Sequence, residues 1–119
     1  MPISIAIVED DRAVRASLVG ILHRAADCRC VGDYGSAEEA LRNLPPLQPD
    51  VILMDINLPE MSGVECVRQL SLLSPDTRIL MLTVREDPDC IFNSLAAGAC
   101  GYLLKPIRAA ELVAAVKDV

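Results

Sequence analysis

The stretch Val51-Ile-Leu-Met-Asp-Ile-Asn-Leu-Pro59 decides the fold, because a short aliphatic run ends there on a single carboxylate. Three other aliphatic runs end in a similar way: Glu9 and Asp10 follow an earlier run, and Thr83 and Lys105 follow two later ones. Short continuous runs of Ile, Val and Leu are typical of parallel strands that helices bury on both faces. The carboxyl ends of parallel strands lie at the same edge of the sheet, and open α/β sheets bind their ligands there. The polar side chains that follow these strands are therefore predicted to converge at a binding site.

Strand and helix signals alternate five times along the chain, which predicts βαβ units and a doubly wound parallel sheet of the α/β class. Serines and aspartates at N-cap spacing mark helix starts, and glycine marks one helix end. We expect three prolines between the second helix and the third strand to form a stiff loop. The predicted features are strands at 3–8 and 30–34, the latter at a sheet edge; a first helix at 11–26; caps at Ser36, Ser62 and Asp87, with Pro88 in the first turn; a helix end at Gly98; a last helix from Arg108; and the loop prolines Pro45, Pro46 and Pro49.

Length and composition fit one small domain with its own core, since 119 residues is a common domain size. The net charge of −6 argues against binding of nucleic acid or an anionic membrane by this domain itself. No apolar stretch is long enough to span a bilayer, and no basic segment precedes an apolar signal core, so we expect a cytoplasmic protein. The last helical pattern continues to Val119 without a stop signal, which predicts a domain excised from a longer protein.

Five cysteines form an odd and scattered set, and Cys28-Arg-Cys30 lacks the CxxC spacing of redox or zinc pairs. We expect reduced thiols that pack as small apolar side chains.

Successive segments of the chain resemble the receiver domain of bacterial two-component response regulators over essentially its whole length. The segments are Val8-Glu-Asp-Asp11, Leu53-Met-Asp-Ile-Asn-Leu-Pro59 with Met61-Ser-Gly63, Leu82-Thr-Val84 and Gly101-Tyr-Leu-Leu-Lys-Pro106. The stretches 82–88 and 97–106 are further similar to transcription regulators that carry a C-terminal helix-turn-helix domain. The resemblance implies a flavodoxin-like (βα)5 fold with strand order 2-1-3-4-5 for residues 1–119, followed by a DNA-binding domain.

The resemblance also implies a phosphoacceptor site. Asp55 is then the nucleophile that takes a phosphoryl group from a sensor histidine kinase and forms an acyl phosphate. Glu9 and Asp10 hold Mg²⁺, or Mn²⁺ in its place, together with the Asp55 carboxylate and the backbone carbonyl of Asn57. Such an oxygen site with several waters suits Mg²⁺.

Two further strand ends supply the remaining implied roles. Lys105 pairs with Asp55 and then with phosphoryl oxygen, and Thr83 hydrogen-bonds another of these oxygens. Tyr102 is a rotameric switch coupled to Thr83, and its alternative is a structural anchor in the strand. The peptide bond before Pro106 is cis in the family.

The arginine at position 15 decides which of the three consecutive acidic residues are assigned to the metal. Its match to the family pattern assigns Glu9 and Asp10 to the metal, and leaves Asp11 as a helix N-cap or first-turn acid. Arg85 flanks the expected phosphoryl position, with a solvated side chain as the equal alternative. Taken singly, each strand-end residue also has a structural interpretation as a turn residue or a local backbone partner.

The implied function is a signalling domain that is not an enzyme, beyond catalysing its own phosphorylation and dephosphorylation. Homodimerisation on phosphorylation is a further implied consequence, and DNA contact is expected of the implied C-terminal domain. The rival class is a phosphohydrolase with an aspartate nucleophile, which needs a second acid two residues after Asp55, where Asn57 stands. A constitutive binding domain is disfavoured by the intact acidic set, and a P-loop is excluded because its glycine motif is missing.

Overall fold

A computed structural model describes residues 2–84 and 87–119. Five parallel strands form one sheet in the order β2-β1-β3-β4-β5, and five helices alternate with them. This architecture confirms the predicted doubly wound α/β fold. The elements are β1 (Ile3–Val8), α1 (Arg12–Arg24), β2 (Cys28–Tyr34), α2 (Ala37–Leu47), β3 (Val51–Asp55), α3 (Gly63–Leu73), β4 (Arg78–Thr83), α4 (Pro88–Ala97), β5 (Gly101–Leu104) and α5 (Ala109–Asp118).

Two apolar layers enclose the sheet. Helices α1 and α5 cover one face, while α2, α3 and α4 cover the other. Every residue of β3 is buried, as the uninterrupted aliphatic run of that strand predicted. Central strands buried on both faces are rigid supports, so the side chains at their carboxyl ends start from well-defined positions.

The helix starts confirm the predicted capping residues. The side chains of Asp11, Ser36, Ser62 and Asp87 each accept a hydrogen bond from a backbone N–H of the first turn. These bonds satisfy donors that have no partner within the helix. Gly98 ends α4 with a φ of 128°, a backbone conformation that side chains with a Cβ rarely adopt.

Two expectations about element boundaries were wrong. Pro45 and Pro46 lie inside α2 and not in a loop. Because proline has no N–H, two carbonyls one turn back lose their helical donors, but the loss is confined to the last turn, which the buried Leu44 anchors. The Gln48 N–H donates to the Leu44 carbonyl at 3.3 Å and closes that turn. The edge strand β2 begins at position 28, earlier than predicted, because Ile3 at the start of β1 provides a pairing partner there.

All five cysteines are free thiols. Cys28 and Cys66 are buried, as expected, and burial raises the pKa of Cys66 to about 12. Cys100 is exposed, so the expectation of a packed thiol was wrong there, because the turn before β5 faces solvent. Within the described residues, none of the helices has the length and apolar character needed to cross a membrane.

Candidate functional site

The carboxyl edge of the sheet brings three carboxylates together. Oxygen atoms of Glu9, Asp10 and Asp55 all lie within 4.8 Å of one another. β1 and β3 are neighbours in register, with Val8 opposite Met54, so the residues at their ends stand side by side. Glu9 is 1% exposed and Asp55 is 4% exposed, whereas Asp10 faces solvent. The cluster confirms that the strand ends predicted to converge do so.

Lys105 reaches this cluster from the end of β5. Its Nζ forms an ion pair with Glu9 Oε1 and lies 3.5 Å from Asp55 Oδ1. Burial opposes the ammonium charge, yet the hydrogen bond to Glu9 and the two carboxylates outweigh it and raise the pKa of Lys105. Sequence reasoning predicted the Asp55 partner and missed Glu9. The Lys105–Pro106 peptide bond is cis, as predicted.

The Asp55 carboxyl sits in a pocket that disfavours its charge. Burial, followed by repulsion from Glu9, raises its pKa from 3.8 to about 7. Lys105 and the Asn57 N–H, which donates to Asp55 Oδ1 at 3.2 Å, act in the opposite direction. The pocket therefore carries more negative charge than one lysine balances. A hard divalent cation with oxygen ligands is the group that relieves such a surplus, so the residues fit Mg²⁺.

Thr83 and Tyr102 lie on the same face of neighbouring strands. Thr83 pairs with Leu104 and Met81 pairs with Tyr102, and side chains two residues apart on a strand share a face. Thr83 is 4% exposed and Tyr102 is 38% exposed. The buried Thr83 hydroxyl group on β4 therefore has the partly exposed Tyr102 side chain on the neighbouring strand β5. Arg85, the other residue predicted near the site, lies outside the described residues.

A cleft of about 700 Å³ opens above the carboxylates. One wall is the acidic cluster, and the other is an apolar surface formed by Val14 and Leu18 of α1 and by Ile107 of the segment between β5 and α5. Sequence analysis did not predict this wall, although the apolar spacing along α1 was visible.

The third helix is pressed against the end of β3. A Cβ atom added at Gly63 would lie 2.2 Å from the Asp55 carbonyl oxygen, and the Gly63 N–H donates to the Ile56 carbonyl at 3.0 Å. Glycine is required here because backbone atoms, which cannot move aside cheaply, occupy the space. The close approach fixes the loop that carries Asn57, and sequence reasoning missed it.

Residues 5–117 match the family model of the response regulator receiver domain. The chain therefore belongs to the receiver domain family of two-component response regulators, which are signalling domains and not conventional enzymes.

Individual relatives agree with this assignment. The chain is 38% identical over 117 residues to the DNA-binding transcriptional activator DevR/DosR of Mycobacterium tuberculosis, covering 98% of this chain and 54% of that protein. It is 38% identical over 117 residues to the transcriptional regulatory protein DegU of Brevibacillus brevis, covering 98% and 50%. The chain thus spans about half the length of these curated relatives.

Solved structures show the same fold. The signal receiver domain of the response regulator NarL from M. tuberculosis superposes with a TM-score of 0.93 at 27% identity, covering 98% of this chain and 94% of that one. The chemotaxis protein CheY4 of Vibrio cholerae superposes with a TM-score of 0.92 at 28% identity, covering 100% and 99%.

Proposed function

We propose that Asp55 accepts a phosphoryl group from a sensor histidine kinase in a reaction that requires Mg²⁺, and that the modification shifts the conformation of an output surface. The observation that carries the proposal is the cluster of three carboxylate oxygens within 4.8 Å, with the Lys105 ammonium group beside it. A buried carboxylate nucleophile, a metal-binding set and a cation at one edge are the parts that phosphoryl transfer to aspartate needs.

The metal ligands in this proposal are Glu9, Asp10, the Asp55 carboxylate and the backbone carbonyl of Asn57. When bound, Mg²⁺ neutralises charge on the phosphoryl oxygens and on the carboxylates, and Mn²⁺ can replace it because it accepts the same oxygen ligands. Lys105 supports binding by holding Glu9 through an ion pair. The ammonium group therefore holds one carboxylate in place.

The chemical step uses the Asp55 carboxylate as nucleophile. One of its oxygens forms a bond to phosphorus while the bond between phosphorus and the kinase imidazole nitrogen breaks, and the imidazole leaves with that electron pair. Lys105, 3.5 Å from Asp55 Oδ1, is placed to attract the negative charge of the transferred group. Dephosphorylation is hydrolysis at the same pocket: a water oxygen bonds to phosphorus, the bond from phosphorus to the Asp55 oxygen breaks, and inorganic phosphate leaves. The domain therefore catalyses only its own two reactions.

The conformational response begins at Thr83 in this proposal. Its hydroxyl group hydrogen-bonds a phosphoryl oxygen, and the rearranged side chain alters the space available to Tyr102 on the same face of the sheet. A ligand shifts a two-state equilibrium only through contacts that differ between the states, and this contact exists only after phosphorylation. The response reaches α4, β5 and α5, where homodimerisation is a further proposed consequence.

We also propose that residues 1–119 form the receiver part of a longer transcription regulator. The support is the match of this chain to about half of DevR/DosR and DegU, whose names describe transcriptional regulators. DNA contact would then belong to a C-terminal domain, consistent with the net charge of −6 here. A cytoplasmic location is favoured by five free thiols, which persist in reducing compartments.

Mass spectrometry of the intact protein tests the nucleophile. With Mg²⁺ and acetyl phosphate, the parent should gain one phosphoryl group, and Asp55→Asn should abolish this because an amide cannot form the acyl phosphate. Asp11→Asn is the matched control, since it removes the same charge next to the site while asparagine retains N-cap ability. Undiminished labelling of Asp55→Asn would refute the assignment.

A further inference from the structure

Arg15, in the first turns of α1, ties together three segments around the acidic cluster. Its Nη1 donates to the Glu9 backbone carbonyl at 2.8 Å, and its Nε lies 3.3 Å from Asp33 Oδ1 on β2. The Arg15 side chain is 20% exposed, so these contacts are partly shielded from solvent. Hydrogen bonds from a charged donor are stronger than neutral ones, and the planar guanidinium group fixes the angle between its two contacts.

These contacts act on the backbone that carries the acidic side chains. The Glu9 N–H donates to the Tyr34 carbonyl at 2.9 Å, so both polar backbone groups of Glu9 have partners, and Arg15 supplies the second one. The Glu9 carbonyl belongs to the peptide group that leads into Asp10. Its orientation therefore sets the direction in which the exposed Asp10 side chain leaves the chain.

The loop after β2 leaves room for this arrangement. A Cβ atom added at Gly35 would lie 2.9 Å from Arg15 Nη1, which is too close for both to keep their places. Because the neighbour is the end of a long side chain, the expected response is a displaced guanidinium group in a folded protein. Gly35 has no positive φ in this structure, so alanine fits its backbone.

We infer that Arg15 is a positioning residue for the divalent-cation site: by bridging the Glu9 carbonyl and the Asp33 carboxylate it presents the Glu9 and Asp10 carboxylates to one ion. The inference rests on the proposed function, since it concerns how the same site binds Mg²⁺. The inference predicts that loss of Arg15 weakens Mg²⁺ binding, whereas electrostatics alone predicts tighter binding. Removing a nearby positive charge strengthens the attraction for a cation, whereas loss of a positioning contact weakens binding.

The test is calorimetric measurement of the Mg²⁺ Kd in the 119-residue chain. Removing a residue that orients the metal ligands through hydrogen bonds typically weakens metal binding by at least about tenfold. Arg15→Met should therefore raise the Mg²⁺ Kd by about that factor. Arg24→Met, which removes the same charge from the exposed far end of α1, should leave Kd unchanged or slightly lower it. At saturating Mg²⁺, Arg15→Met should regain most of the parent rate of labelling by acetyl phosphate.

Gly35→Ala is the second variant, because it retains the arginine charge while displacing the guanidinium group. It should also raise Kd, and it should add nothing further when combined with Arg15→Met, since the two changes remove the same contact. This variant decides the question if Arg15→Met fails to fold. Equal or tighter Mg²⁺ binding in the folded variants would refute the inference while leaving the proposed function intact. Absence of Mg²⁺ binding by the parent would refute the proposed function itself, and the inference with it.

Discussion

Replacing the nucleophile should stabilise the metal-free domain in a pH-dependent way. The folded pKa of Asp55 is about 7 against an ordinary value of 3.8, chiefly because of burial and then because of Glu9. Between these two pH values the folded state binds more protons at this site than the unfolded state does. The contribution of Asp55 to the free energy of unfolding is therefore fully present below pH 4 and is lost as pH rises towards 7. Asp55→Asn abolishes this loss because the amide does not titrate.

The magnitude follows from the size of the shift. Roughly three pKa units correspond to about 4 kcal/mol without screening. The cleft is open to water, which screens the carboxylates. The expected loss in free energy of unfolding is therefore reduced to about 1–2 kcal/mol. At pH 8 with EDTA, Asp55→Asn should exceed the parent in free energy of unfolding by that amount, or by about 5–10 °C in Tm. At pH 4 the two proteins should be nearly equal.

Urea unfolding followed by circular dichroism at several pH values measures the difference directly. Asp76→Asn is the control, since it removes an exposed carboxylate before β4, at the opposite edge of the sheet. It should show no comparable change in the pH dependence. If the difference between Asp55→Asn and the parent stays constant from pH 4 to pH 8, then the pocket does not disfavour the charge of Asp55 and the reasoning fails.

Further predictions concern the relay, the packing and the thiols. Thr83→Ala should still be phosphorylated at Asp55 but should show smaller amide NMR shifts in α4, β5 and α5 with a beryllofluoride phosphoryl mimic; equal shifts would exclude it as the relay. Gly63→Ala should lower the free energy of unfolding by about 1–3 kcal/mol, the usual cost of overpacking, and an unchanged urea midpoint would contradict the close approach to β3. Cys100 should react with a thiol reagent in the native protein, whereas Cys66, buried with a pKa of about 12, should react only after unfolding; equal native rates would contradict this burial.

The sequence alone determined the elements and where the polar residues stand along them. Aliphatic runs predicted four of the five strands and capping residues predicted four of the five helix starts, because these signals act within a few residues. Parallel strands end at one edge whatever their packing details, so the convergence of Glu9, Asp10 and Asp55 was also predictable. The family resemblance added the strand order, which periodicity does not contain.

Only the tertiary structure decided which side chains meet. The ion pair of Lys105 with Glu9 and the contact of Arg15 with the Glu9 carbonyl join residues from different elements, and their geometry depends on the reach of flexible side chains across the sheet. Pro45 and Pro46 lie in α2 because burial of the neighbouring Leu44 outweighs the low helix propensity of proline. Local sequence sets a residue's place along the chain, whereas its partners depend on how the layers pack, and that packing is a property of the whole chain.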